Sequence, residues 1–360
     1  MKKSEDNFLQ KFRALFFTEK EKNFTPIRTE RYFSFLSEGN KDPFHPFYDF
    51  VKITKIVGFE YIEYLIGNGF LKFDERESYY LYEQEFRFFG RTYLRRGLLC
   101  SFDMKFSDRV LPHENVFDFG VEIHKEFYEK SRLNFEAILL LYKGEKIDNF
   151  IENEELVKEI IDEFKEIHRI KRCEVKNEFF EVIKKSNFVI ADGHHRFEAS
   201  KRSKSKKRLV LLLSVFDENL KILPTHRALN LEEEEISPFI KKSEKIKSET
   251  LENLVKEIKN PYLIITYKDE FYLLKCEKEL SVEYLHEFII KGREKDAGFY
   301  RDHLNLLEDI KRGKFNTGFI LPPVLPETVY EYAQSGIKLP QKSSDFYPKA
   351  LCGFIGLLLV

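Results

Sequence analysis

The chain has no tryptophan and only two methionines among its 360 residues. Its four cysteines, Cys100, Cys173, Cys276 and Cys352, lie far apart, and no two have CxxC spacing. That pattern excludes a disulfide framework and a cysteine-ligated zinc site. It reads as reduced, buried thiols in a cytoplasmic protein. An excess of one charge is missing too. With 60 Lys+Arg against 61 Asp+Glu the net charge is −1, which argues against a broadly basic, nucleic-acid-coating surface. The longest apolar run is the tail Gly353–Val360, far short of the roughly 20 residues of a membrane span. The opening stretch is broken by charges and has no small-residue cleavage site, so no signal peptide is expected. Internal repeats and low-complexity linkers are also absent.

Aromatic residues are abundant. The chain holds 37 Phe and 18 Tyr, and 42% of it is apolar, enough for a large core and incompatible with wholesale disorder. The length suits two domains or one large unit.

Periodicity predicts the elements. Ile56, Phe59, Ile62 and Leu65 recur at helical steps, and Gly67-Asn68-Gly69 closes that helix. Tyr79–Tyr82 and Gly97–Phe102 read as strands joined through Gly90. Leu156, Val157, Ile160, Ile161, Phe164 and Ile167 predict one long amphipathic helix, followed by a short helix over Glu178–Lys185. Phe188–Ala191 reads as a buried strand, Asp192-Gly193 as a turn, and His194 onward as helix. A hairpin is expected from Leu209–Phe216 through Asp217–Asn219 to Leu220–Leu223, and a second over Tyr262–Leu274. The acidic run Glu232–Glu235 marks a boundary. Helices follow near Val282–Ile290 and from Pro326 to Gly336, and Ala350–Val360 reads as a closing core strand. Strands and helices interleave without strict βαβ order, so the fold class is α+β.

The segment Phe188–Ser200 (FVIADGHHRFEAS) carries the sharpest chemical signal. A strand ends at Asp192, Gly193 permits a tight turn, and a helix N-terminus then faces the strand end. Its free N–H groups and positive dipole end suit an anion. His194, His195 and Arg196 add donors and charge there, and Arg fits phosphate in a bidentate manner. Asp192 is placed to cap the helix or hold Mg²⁺. The plain alternative is a capped helix with surface histidines. A zinc site on adjacent His194 and His195 is disfavoured, because neighbouring helical residues do not share a face.

Three further segments are candidates. His113 and Glu114, in Leu111–Glu114 (LPHE), pair a histidine with a carboxylate suited to general-base work. His226 and Arg227, in Pro224–Arg227 (PTHR), follow the first motif closely in the chain. Lys342 and Lys349, in Lys338–Lys349 (KLPQKSSDFYPK), could reach a phosphate or a carboxylate. The basic run Lys201–Arg208 reads as a solvated helix end.

The order VLPHEN, VIADGHHRFEA, ILPTHRA and KSSDFYPK resembles the family catalogued as domain of unknown function 1015, over nearly the whole chain. That family is similar to the ParB/sulfiredoxin-like superfamily, whose members include free-serine kinases. The resemblance implies a ParB/sulfiredoxin-like nucleotide-binding core over 76–235. A mostly helical segment over 1–75 precedes it, and an α+β part over 236–360 packs on it. It implies that Gly193, His194, His195 and Arg196 cradle nucleotide phosphates; His226, Arg227 and Lys342 are the further cofactor-binding candidates. ATP or ADP with Mg²⁺ on Asp192 are the expected cofactors. Glu114, His113 and Asp192 are the catalytic candidates, and a small hydroxylated metabolite such as free L-serine is the expected acceptor. The alternative is a non-catalytic, nucleotide-responsive switch, possibly associated with nucleic acid. Neither a membrane nor, in the first reading, a nucleic acid is an expected partner.

Overall fold

The computed structural model describes residues 8–20, 24–37, 45–88, 90–203 and 205–359. The charged opening Met1–Asn7, residues 21–23 and 38–44 of the expected helical segment, Lys204 of the basic run and Val360 of the tail lie outside the described residues. The chain divides into two compact units. One comprises Met1–Leu220, Ala333–Gly336 and Pro348–Val360. The other comprises Lys221–Tyr332 and Ile337–Tyr347. Helices and mixed sheets together make the α+β class.

The first unit is organised by a nine-stranded mixed sheet. Along its main path the strands run Ile151–Ile161, Ile167–Val175, Tyr79–Phe88, Arg91–Asp103, Lys207–Ser214, Ile138–Tyr142, Phe188–Asp192 and Val110–Leu111. The expected hairpin around Gly90 is present, with Tyr80 opposite Leu99 and Phe88 opposite Arg91. Two pairings are parallel, Lys207–Ser214 with Ile138–Tyr142 and Phe188–Asp192 with Val110–Leu111. Leu98, Cys100, Leu140, Ile190, Val210 and Leu212 form part of the buried core along these strands. Central strands covered on both faces read as continuous apolar runs, which is what Leu209–Leu213 and Leu139–Leu141 are.

The phenylalanines concentrate in a second core of the same unit. Phe17, Tyr32, Phe35, Phe47, Phe50, Phe127 and Phe135 are all buried there. Edge-on pairs such as Phe17 with Phe50, 5.4 Å apart at 87°, suit the ring quadrupoles.

Several expectations are corrected. Leu156–Ile167 is not a helix. It forms the antiparallel strands Ile151–Ile161 and Ile167–Val175, joined by a turn at Asp162–Glu166. Its apolar residues follow helical spacing, but antiparallel pairing with Ile167–Val175, which in turn pairs with Tyr79–Phe88, overrides it in favour of strand. Ile161 is 64% exposed at the open edge. The helix expected through Ile56 is broken by Gly58, whose φ of +81° separates Pro46–Val57 from Phe59–Gly67. Ile56 therefore faces water while Ile62 and Leu65 are buried.

The expected hairpin Leu209–Leu223 does not form. Lys207–Ser214 pairs with Arg91–Asp103 and Ile138–Tyr142, whereas Lys221–Leu223 pairs with Asp345–Tyr347 in the second unit. Glu232–Glu235 lies within the second unit. It starts the helix Glu233–Lys241 through a capping box, where carboxylates complement the helix dipole. The tail makes two short strands, Leu351–Cys352 and Leu357–Leu358, with Gly353 at φ +80° between them.

The second unit holds a six-stranded antiparallel sheet in the order Glu244–Ile246, Glu270–Lys275, Tyr262–Tyr267, Thr317–Ile320, His226–Leu229 and Gly298–Tyr300. The hairpin expected over Tyr262–Leu274 is there, turning at Lys268 and Asp269, which both have positive φ.

Candidate functional site

The strand Phe188–Asp192 and the helix His194–Arg202 form as the sequence indicates. Gly193 joins them at φ +100°, in the left-handed region, which side chains disfavour. A Cβ on Gly193 would lie 2.9 Å from Arg196 Nε. Gly193→Ala is expected to lower stability by about 1–3 kcal/mol, read as a shifted urea midpoint. An unchanged midpoint would mean that the turn and the guanidinium relax freely.

Long-range pairing brings the LPHE loop to this turn. Val110 pairs with Phe188 and Leu111 with Val189 in parallel register. Pro112-His113-Glu114 therefore runs beside the end of the DGHHR strand. His113 is fully buried, and its Nδ1–H donates to the Ile190 carbonyl at 2.6 Å. Burial pushes its pKa down to about 4. The His113 backbone N–H lies 3.4 Å from His194 Nε2, which accepts it. That leaves the proton of His194 on Nδ1, facing Glu114 Oε1 at 3.3 Å. Burial, and then the neighbouring His113, hold the His194 imidazole well below its ordinary pKa. Glu114 keeps 24% of its side chain exposed. His195 Nε2 accepts the Phe117 backbone N–H at 3.0 Å. The two histidines thus bind the LPHE loop to the helix and are not the surface residues of the plain alternative.

Asp192 joins two cations. Its Oδ1 accepts from Lys349 Nζ at 2.7 Å and its Oδ2 from the Arg196 guanidinium. Burial alone would raise its pKa, but Lys349 and Arg196 hold it well below the usual carboxylate range. Arg196 Nη1 also donates to the Ala137 carbonyl at 2.8 Å and lies 3.7 Å from Glu136 Oε2. The second of these residues was not singled out by the sequence. Glu136 is buried beside the start of the strand Ile138–Tyr142, and burial raises its pKa to about 8. Its Oε1 has no hydrogen-bond partner among the described residues; His124 Nδ1 lies 3.6 Å away.

Lys349 reaches Asp192 because its backbone is clamped. Gln84 and Arg95 face each other across the central hairpin. Gln84 Nε2 donates to the Lys349 carbonyl at 3.2 Å, and Arg95 Nη2 to the Pro348 carbonyl at 2.7 Å. Nothing local in the sequence signals this pairing; only the KSSDFYPK motif pointed toward Lys349.

The helix supplies a donor surface as well. Its first internal bond runs from Phe197 N to Gly193 O at 2.8 Å. The N–H groups of His194, His195 and Arg196 precede it, and such groups need a partner from outside the helix.

His226, Arg227 and Lys342 belong to the second unit and form a cluster there. His226 Nδ1 accepts the Leu321 N–H at 3.1 Å, and burial, then His303, lowers its pKa to about 3. Arg227 is fully buried, donates to the carbonyls of Thr225, Gln341 and Lys342, and has its pKa lowered to about 9 by burial. Lys342 Nζ lies 4.7 Å from the Phe299 ring centroid.

The basic run Lys201–Arg208 is not simply a solvated helix end. Arg208 is fully buried, bonded to Ser200 and Ser203 and stacked 4.0 Å over Tyr128, because it begins a central strand.

The family described as Protein of unknown function (DUF1015) matches residues 58–299. The chain belongs to the DUF1015 family. The DUF1015 match spans the central hairpin, the LPHE loop, the DGHHR helix and PTHR, and ends before Lys342 and Lys349. No curated protein matches the chain. A free serine kinase in complex with AMP is similar in structure at 16% identity, covering 69% of this chain and 86% of that one, with a TM-score of 0.40. A conserved hypothetical protein from Pyrococcus furiosus is similar at 15% identity, over 71% and 93%, with a TM-score of 0.39. SbnI from Staphylococcus aureus, truncated at its C-terminus, is similar at 12% identity, over 71% and 85%, with a TM-score of 0.43. Among the described residues no helix is long and apolar enough to cross a membrane.

Proposed function

We propose that this member of the DUF1015 family binds a nucleotide at the DGHHR turn and transfers a phosphoryl group to a small hydroxylated metabolite. The observation that carries this reading is the convergence at one strand end of the helix N-terminus, the Lys349 ammonium and two part-exposed carboxylates, Asp192 and Glu114. Phosphoryl transfer asks mainly for positioning and charge neutralisation. The backbone N–H groups of His194–Arg196 and the Lys349 ammonium would take the phosphates. Arg196 would act from below by holding Asp192 in place. The residues suit Mg²⁺ only as an ion that arrives with phosphate oxygens, because Asp192 already meets two cations. Asp192 would hold it, and it would neutralise phosphate charge.

Glu114 is the base in this reading. Its part-exposed carboxylate is steadied by His194, whereas His113 is too deeply buried to meet a substrate. Glu114 would take the acceptor hydroxyl proton while that oxygen bonds to the terminal phosphorus. The bond from phosphorus to the leaving nucleotide would break, and the nucleotide would keep the electron pair. Free L-serine is the first acceptor to test.

The non-catalytic switch remains the second reading, favoured by the full pairing of Asp192 with cations. Calorimetry with Mg²⁺ complexes of ATP, ADP, CTP and GTP tests both. Binding of one nucleotide is expected, weakened about 10–100-fold in Lys349→Ala by loss of a charged contact. Glu114→Gln should keep binding and lose turnover with serine. Binding without turnover for any hydroxyl acceptor selects the switch. No binding of any nucleotide overturns both.

A further inference from the structure

Near the Lys349 clamp, the turn after the edge strand Ile151–Ile161 and the start of its neighbour Ile167–Val175 gather Asp162, Glu166 and His168, all buried. One ligand-type atom from each lies within 4.8 Å of the others. None of the three was singled out in the sequence, and the proposed phosphoryl transfer does not use them.

The geometry has three parts. First, His168 Nδ1 meets the Tyr82 hydroxyl at 2.7 Å. Its Nε2 is buried, has no hydrogen-bond partner among the described residues, and lies 3.4 Å from Asp162 Oδ2. A tetrahedral ion with bonds of about 2.0–2.1 Å holds neighbouring ligand atoms about 3.3–3.4 Å apart. The His168–Asp162 separation matches that of two ligands of one ion. Second, the outer partners already orient the ligands. Asp162 Oδ1 accepts the Phe164 and Glu166 backbone N–H groups, each at 2.9 Å, turning Oδ2 toward His168. Gln84 Nε2 lies 3.3 Å from Glu166 Oε2. Such a shell of Tyr82, Gln84 and backbone donors is what fixes ring and carboxylate orientation around a metal. Third, two carboxylates face one cation. Arg28 Nη2 lies 3.0 Å from Glu166 Oε2 and 3.4 Å from Asp162 Oδ2, with its guanidinium 4.0 Å above the Phe164 ring.

We propose that Asp162, Glu166 and His168 form a site for one divalent transition-metal ion. One imidazole and two carboxylates suit Zn²⁺. Arg28 neutralises the same carboxylates and competes with the ion, so its removal raises metal affinity. The bound ion ties the turn to the strand Ile167–Val175. Through Tyr82 and Gln84, which also bond the Leu351 N–H and the Lys349 carbonyl, it stiffens the segment that carries Lys349.

The test is calorimetry with Zn²⁺ on the tag-free full chain after chelator treatment, with metal content by mass spectrometry. One Zn²⁺ per chain is expected, at least tenfold weaker in His168→Gln and at least tenfold tighter in Arg28→Ala. At a free Zn²⁺ concentration of about 100 times Kd, the Tm of the wild type should rise by about 5–10 °C and that of His168→Gln should not. No stoichiometric binding overturns the proposal, as does binding that His168→Gln leaves intact. Should His168→Gln fail to fold, Arg28→Ala decides alone: unchanged or weaker Zn²⁺ binding there overturns it. These readouts involve no nucleotide, so they stand apart from the fate of the phosphoryl-transfer reading.

Discussion

Asp192→Asn should cost about 3 kcal/mol of folding free energy at pH 7, the lower end of the range for removing one partner of a buried ion pair, because its side chain keeps 22% of its surface exposed. The wild-type carboxylate joins Lys349 and Arg196, both largely buried. Without its charge two cations face each other across the turn. Among the described residues Arg196 keeps the Ala137 carbonyl and the more distant Glu136 carboxyl, neither of which replaces the lost charge. The pH dependence follows from the sign of the shift. Asp192 has its pKa depressed below the ordinary 3.8, so its contribution is present above that value and is lost as pH falls toward the folded value. Wild type and variant should therefore differ fully at pH 7 and converge in strong acid. Urea titrations at both pH values measure this. A loss under about 1 kcal/mol at neutral pH would mean that the cations are compensated by other groups.

Glu136→Gln should do the opposite and stabilise the protein at pH 8. Burial raises the Glu136 pKa from 4.5 to about 8, even though Arg196 opposes the shift. The folded state then holds a proton that the unfolded state has released. The stability tied to that proton is fully present below about pH 4.5 and is lost as pH rises to about 8. The slope reaches about 1.4 kcal/mol per pH unit for one proton. Glutamine keeps the shape and removes the titration. Melting curves at pH 5, 6.5 and 8 should show wild type falling faster than the variant, by about 2–4 °C per kcal/mol. Parallel profiles would place the carboxyl in its ionised form throughout, paired with Arg196.

Both predictions concern residues whose importance lies in distant partners, and this separates what could be read along the chain from what could not. The strand–Gly–helix at Phe188–Arg202, the hairpin at Gly90 and the hairpin at Lys268-Asp269 were legible. Each is decided by neighbours in sequence: an apolar run, a residue able to take positive φ, and a periodic face. The DGHHR turn was recognisable for the same reason, although the inward role of its histidines was not. His113 and Glu114 stand out as candidates along the chain, but their place beside Asp192 comes from the parallel pairing of Val110–Leu111 with Phe188–Val189.

Tertiary structure alone decided the rest. Leu156–Ile167 carries helical spacing, and only its pairing with Ile167–Val175 at the sheet edge makes it strand. Leu209–Leu213 is legible as a strand, but its partners, Arg91–Asp103 and Ile138–Tyr142 in place of Lys221–Leu223, come only from the fold. Lys349, 157 positions from Asp192, reaches it through Gln84 and Arg95. Glu136 is ordinary in sequence and acquires its raised pKa only from the core that closes over it. Local conformation is a property of adjacent residues, whereas register, burial and charge pairing are set by which distant surfaces the fold brings together.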